Sequence, residues 1–123
     1  MHISKTQETD PVFEFRHLGI NPADEVQSER IRNFFTQVIG LNETKLKESV
    51  MLGGRIELMP PGSPGKSGHI GLTVESIEKA AEYLSGLGIG IDYNSAIYHD
   101  DGRIKVVYLK EEIGGFAVHL FEE

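Results

Sequence analysis

Along this chain the apolar positions switch between a period of two and a period near four, and the switches come in the same order twice. Residues Phe13 to Ile20 alternate as a strand does. Asn21-Pro22-Ala23-Asp24 then supplies helix-start chemistry, with proline tolerated in a first turn. Ile31, Phe34, Phe35 and Val38 recur at helical spacing, and Gly40 is placed to end that helix. Short strand-like segments follow at Glu43 to Glu48, Val50 to Leu52 and, after a Gly53-Gly54 turn, Arg55 to Met59. The stretch PPGSPGKSG, Pro60 to Gly68, has no periodicity and reads as a breaker-rich connection. Beyond it His69 to Val74 reads as a strand, and Ile77, Ala80, Ala81 and Leu84 mark the apolar face of a helix ending near Gly86 or Gly88. Asp101-Gly102, between SAIYHD and RIKVVYL, predicts a two-residue hairpin, and Phe116 to Phe121 makes a last strand after Gly114-Gly115. Each half therefore reads β-α-β-β-β. The prediction is an α+β domain at 13–123: module 1 at about 13–59, a linker at 60–67 and module 2 at about 68–123. Residues 1–12 are polar and aperiodic and read as a loose arm. Neither module can bury a sheet face alone, so the two should share a cleft, with one helix backing each.

At 123 residues the chain suits one domain rather than two. Its 39% apolar and 25% charged residues are ordinary for a globular protein, and no signal-type segment or long apolar run occurs, which predicts a cytoplasmic location without a membrane partner. The absence of cysteine excludes disulfides and thiolate chemistry, so any metal must sit on nitrogen and oxygen. A net charge of -7 without a basic run argues against nucleic acid and anionic membranes. A small molecule or another protein is the expected partner.

Two histidines interrupt this pattern in near copies, HLGI from His17 and HIGL from His69. Alternation gives their faces. Leu18 and Ile20 share one face of the first strand, and Phe15, His17 and Gly19 the other; Ile70, Leu72 and Val74 oppose His69, Gly71 and Thr73. Ile56 and Leu58 likewise oppose Glu57, while Phe116, Val118 and Leu120 oppose His119. One rule thus sends His17, Glu57, His69 and His119 into the shared cleft, where Gly19 and Gly71 should leave room for a ligand. Taken singly, a strand histidine is usually a hydrogen-bonded core or surface residue, and Glu57 a solvated one. Taken together, three imidazoles and a carboxylate suit one divalent cation of the zinc, nickel, cobalt, iron or manganese kind. Such an ion would satisfy four polar groups that are costly to bury unpaired. Arg55 shares the Glu57 face and is a candidate for holding a substrate carboxylate or phosphate, with a surface ion pair as the plain alternative. His99 at the hairpin tip and His2 are expected to be exposed, and Tyr93, Tyr98, Tyr108 and Lys66 to serve packing or solvation.

These residues resemble the vicinal oxygen chelate superfamily, from Phe13 to the end of the chain. The resemblance implies two paired βαβββ modules forming a cupped mixed sheet of the glyoxalase/dihydroxybiphenyl dioxygenase kind. It also implies metal ligands from the first and last strands of each module, positions that His17, Glu57, His69 and His119 match. FRHLGIN, GRIELMPPG, GKSGHIGLTVESIEKAAEYL and VYLKEEIGGFAVHLFEE further resemble the C-terminal domain appended to some bacterial 2-keto-4-hydroxyglutarate/2-keto-3-deoxy-6-phosphogluconate aldolases. One departure bears on chemistry: glyoxalase I and methylmalonyl-CoA epimerase carry a glutamate on the last strand, where this chain has His119, so glyoxalase I activity is not implied. The expectation is a metal-dependent lyase or isomerase that chelates two neighbouring oxygens of a small oxo- or hydroxy-acid and stabilises an enolate-like intermediate. Glu57 is then the first candidate base, because it is the only carboxylate of the set. The alternatives are a non-catalytic module that binds a metal or a sugar-acid metabolite for an associated aldolase, and a structural or dimerisation domain without a metal. A homodimer is expected from the family habit.

Overall fold

The structure, a computed structural model, describes residues 10–123. His2 and most of the expected arm lie outside the described residues. The elements follow as β1 (Glu14–Ile20), α1 (Glu25–Asn33) running into a π-helical turn (Phe34–Val38), β2 (Glu43–Lys45), β3 (Val50–Leu52) and β4 (Ile56–Leu58). The second module supplies β5 (Gly68–Thr73), α2 (Ile77–Gly86), β6 (Ile91–Tyr98), β7 (Ile104–Leu109) and β8 (Phe116–Phe121). All eight strands join one mixed sheet in the order β2-β3-β4-β1-β5-β8-β7-β6. The α+β architecture and the repeated βαβββ order agree with the sequence reading. Strands β1 and β5 pair antiparallel at the centre, and each runs parallel to the last strand of its own module, β4 or β8.

The connection at 60–67 is pinned to both modules by hydrogen bonds. The Asn21 amide donates to the carbonyls of Ser63, Pro64 and Gly65 at 2.8 to 3.0 Å, and Ser67 N–H reaches Gly115 O at 2.8 Å. Gly65 has φ +91, and a Cβ there would meet the Gly68 carbonyl, so only glycine fits.

The larger core lies under α2, where Val74, Ile77, Ala80, Ala81, Ile91, Val107 and Leu120 are buried together. Ser76 caps α2 by accepting from Lys79 N–H at 3.2 Å, and buried Glu122 accepts from Ile77 N–H at 2.7 Å. Helix α1 differs from expectation. Its predicted stripe is not buried: Phe34 and Val38 are exposed, and no residue of α1 is buried. The π-helical turn closes with Ile39 N–H to Phe34 O at 3.0 Å, and its extra residue rotates later side chains off the stripe. The strands beneath are only three residues each, so they offer little surface to cover.

Two other local readings need correction. The hairpin between β6 and β7 is not a two-residue turn. His99 N–H bonds to Arg103 O at 2.8 Å and Gly102 N–H to His99 O at 3.0 Å, with Gly102 at φ +90, so Gly102 serves as the left-handed residue of a longer loop. Consequently His99 is half-buried, its Nε2 2.9 Å from the Glu122 carbonyl. In β1 the register breaks at Arg16: Phe15 stands opposite Leu72, but His17 stands opposite Gly71. Phe15 therefore joins the face of Leu72, not that of His17 as strict alternation required.

Candidate metal centre

The register of the two central strands is reciprocal at the histidines. His17 on β1 faces Gly71 on β5, and His69 on β5 faces Gly19 on β1. His119 on β8 stands beside Gly71, and Glu57 on β4 beside Gly19. Each glycine therefore sits between two of the four polar residues. A Cβ on Gly71 would come within 2.8 Å of His17 Nε2 and 2.9 Å of His119 Cε1, and one on Gly19 would collide with the His69 ring. The glycines make room for the imidazoles themselves rather than for a ligand, which corrects the sequence expectation.

The three rings meet at their Nε2 atoms. His17 Nε2 lies 2.8 Å from His69 Nε2 and 3.3 Å from His119 Nε2. Glu57 Oε1 is 3.4 Å from His17 Nε2 and 3.2 Å from His69 Nε2. The other carboxylate oxygen, Oε2, accepts from Ser49 Oγ at 2.5 Å, which fixes the orientation of the group. Relative exposures of 8, 2 and 6% for His17, His69 and His119 show how fully water is kept from this cluster. The structure thus brings His17, His69 and His119 together and puts Glu57 against two of them.

Burial is the largest influence on the acidity of His17 and His119. It pushes His17 below its ordinary value, against the pull of Glu57, and it carries His119 down to about 4, helped by the charges of His17 and His69. Glu57 moves down to about 2, chiefly through its contact with His69 and, against the opposing effect of burial, through Ser49. At neutral pH the centre therefore offers two unprotonated imidazoles, at His17 and His119, and an ionised carboxylate. The chemistry of this donor set fits a divalent cation. Imidazole lone pairs 2.8 to 3.3 Å apart repel unless a proton or a cation lies between them, and one proton can bridge only one pair. The Nδ1 atoms of His69 and His119 are buried and find no hydrogen-bond partner among the described residues, so packing against glycine, not a second hydrogen bond, aims those rings.

Arg55 is not brought to this cluster. It is exposed in the turn before β4, donates from Nη1 to Phe15 O at 3.3 Å and lies 5.8 Å from the Phe15 ring. Sequence reasoning left three neighbours of the centre unplaced. Ser49 carries no signal of its own, because a turn delivers it. Tyr108 stands opposite His119 with ring centroids 5.2 Å apart, and burial raises its phenol, as does the charge of Glu57. Alternation along RIKVVYL, once registered against β8, would have found it. Arg16 is the third, and only a break in alternation could have revealed it.

On the Glu57 side of the centre, an open cavity of about 390 Å³ is lined by Lys47, Ser49, Glu57, Met59, Pro60 and others, with none of the three histidines in its wall. Larger hollows of about 600 and 640 Å³ lie at the N-terminal end of α2 and touch none of the four residues. No helix among the described residues is long and apolar enough to cross a membrane.

Solved structures share this fold over nearly the whole chain. Methylmalonyl-CoA epimerase from Mycobacterium tuberculosis superposes with a TM-score of 0.62 at 15% identity, covering 96% of this chain and 92% of that one. Homoprotocatechuate 2,3-dioxygenase from Brevibacterium fuscum, in complex with 3,4-dihydroxyphenylacetate, superposes with a TM-score of 0.61 at 19% identity. The fold is the vicinal oxygen chelate fold. In the dioxygenase the match covers 99% of this chain but 40% of the other. A hypothetical protein from Bacillus halodurans C-125 superposes with a TM-score of 0.61 at 19% identity, covering 90% of this chain and 94% of its own. By sequence, no family model and no curated protein matches.

Proposed function

We propose that this protein is a divalent-metal-dependent enzyme of the vicinal oxygen chelate superfamily acting on a small oxo- or hydroxy-acid, with the ion held by His17, Glu57, His69 and His119. The observation that carries the reading is the convergence of three buried imidazole Nε2 atoms with a carboxylate oxygen, at 2.8 to 3.4 Å. A bound divalent ion supplies Lewis-acid polarisation of two neighbouring substrate oxygens. Glu57 has two duties under this proposal. Its Oε1 faces the histidines and its Oε2 accepts from Ser49, while the residue also lines the open cavity, which makes it the carboxylate placed to move a proton at a substrate carbon. The reaction class is proton transfer or carbon-carbon cleavage beside a carbonyl, as a lyase or isomerase would perform. Cytoplasmic location, a homodimer and work beside a keto-acid aldolase complete the proposal.

Elemental analysis of untagged protein purified without chelator, together with a His69→Ala, His119→Ala double variant, tests the reading. About one divalent metal per chain, lost in the variant, supports it and leads to a screen of oxo-acids in deuterated water for proton exchange or cleavage. Failure to hold or take up zinc, nickel, cobalt, manganese or ferrous iron overturns it. Metabolite binding without turnover would instead make the chain a binding module. Sedimentation and co-purification with the aldolase test the assembly.

A further inference from the structure

We propose that Arg16 is the anion-recognition residue of this centre, binding a carboxylate of the acid that the centre takes. The inference deepens the metal-centre reading and rests on it. Strict alternation would put Arg16 on the face of Leu18, away from His17. The register break in β1 reverses this, because Phe15 pairs with Leu72 and His17 with Gly71, which leaves Arg16 as the extra residue of a bulge. Bulges re-aim side chains, and here the guanidinium carbon lies 3.8 Å from the centroid of the Phe121 ring. Phe121 is two residues beyond His119 on the same strand, hence on the same face. Arg16 thus enters the cup that alternation assigned to Phe15.

A guanidinium placed over an aromatic face makes no hydrogen bond to the ring, so its N–H donors stay available in the fork that matches a carboxylate. The ion pair that Arg16 makes is loose, 3.6 Å to Glu123, whose side chain is 79% exposed. An incoming carboxylate can replace that partner at little cost. Arg55, by contrast, already donates to a backbone carbonyl and stands against Phe15.

Calorimetry on the full-length protein loaded with manganese tests the assignment, comparing wild type with Arg16→Gln and Arg16→Lys. Two probes share vicinal oxygens but differ in carboxylate: oxalate carries it and acetohydroxamate does not. The expected result is at least a tenfold loss of oxalate affinity in Arg16→Gln and a partial loss in Arg16→Lys. Acetohydroxamate affinity and metal stoichiometry should stay within about twofold of wild type. Equal loss of both probes would mark a structural role and overturn the assignment, as would unchanged oxalate affinity. A wild type that takes up no manganese, zinc or nickel would bring down the metal-centre reading and this inference with it. Metal uptake with no Arg16 effect brings down the inference alone.

Discussion

Acid should destabilise the metal-free protein well before its carboxylates titrate, and the size of the effect follows from His119. In the folded chain its imidazole is held down to about 4, whereas an unfolded chain returns it to the ordinary 6.5. The sign follows from proton binding. Below pH 6.5 the unfolded state takes up a proton that the folded state refuses until pH falls through about 4, so stability is complete above 6.5 and is lost between those values. At 1.36 kcal/mol per pH unit, the loss reaches about 2.5 kcal/mol by pH 4.5 and about 3.4 kcal/mol below pH 4. His17, lowered for the same reason, adds loss in the same window. Glu57, lowered from 4.5 to about 2, protects in the opposite charge sense: its contribution is present above 4.5 and disappears only as pH falls through about 2. The interval from pH 7.5 to 4.5 therefore isolates the histidines.

Urea unfolding followed by circular dichroism, in chelator, at steps from pH 7.5 to 4.5 measures this. The expected outcome is a falling midpoint below pH 6.5 in wild type and a distinctly shallower fall in His119→Gln. A flat midpoint between pH 7.5 and 5, or an identical slope in the variant, would refute the argument. Saturating metal should add about 4 kcal/mol of stability at neutral pH at a thousandfold excess over Kd, and the gain should fade with acid as protons compete for the same nitrogens.

Gly71→Ala and Gly19→Ala should each lower metal affinity at least tenfold while the fold persists, because the new Cβ falls on the ligand rings; equilibrium dialysis against zinc checks it. Ser49→Ala removes the hydrogen bond to Glu57 Oε2 and should weaken metal binding by about tenfold, read by competition with a chromophoric chelator. Glu122→Ala should cost about 1 to 3 kcal/mol in urea unfolding, since Ile77 N–H loses its buried acceptor and Arg103 its 2.6 Å partner. Metal content should not change in that variant.

The periodicities carried the fold where they hold: alternation at His17, Glu57, His69 and His119 gave their common side, and the second helix stripe of Ile77, Ala80 and Ala81 is buried as read. Helix α1 was less legible. A π-helical turn changes period within a few residues, and nothing in FFTQV announces it. Arg16 was illegible for a related reason. A bulge inserts one residue against the partner strand, so alternation holds on both sides of it and fails across it. The role of the glycines also needed the register, since Gly19 and Gly71 serve rings on the opposite strand rather than a ligand beside them.

The internal duplication explains both the symmetry of the centre and the point at which it breaks. Strands β1 and β5 lie next to each other and antiparallel, so a histidine and a glycine repeated in both modules become reciprocal neighbours. The outer pair is not repeated, because β4 brings a carboxylate at Glu57 and β8 an imidazole at His119. That single difference sets the charge. A divalent ion held by three neutral imidazoles and one carboxylate keeps a net charge of about +1, whereas a second carboxylate would cancel it. Arg16 adds another positive charge on the same face. With the proposed ion in place, the centre would be electrostatically matched to a small anionic acid despite the overall charge of -7, through its local field rather than through the protein as a whole.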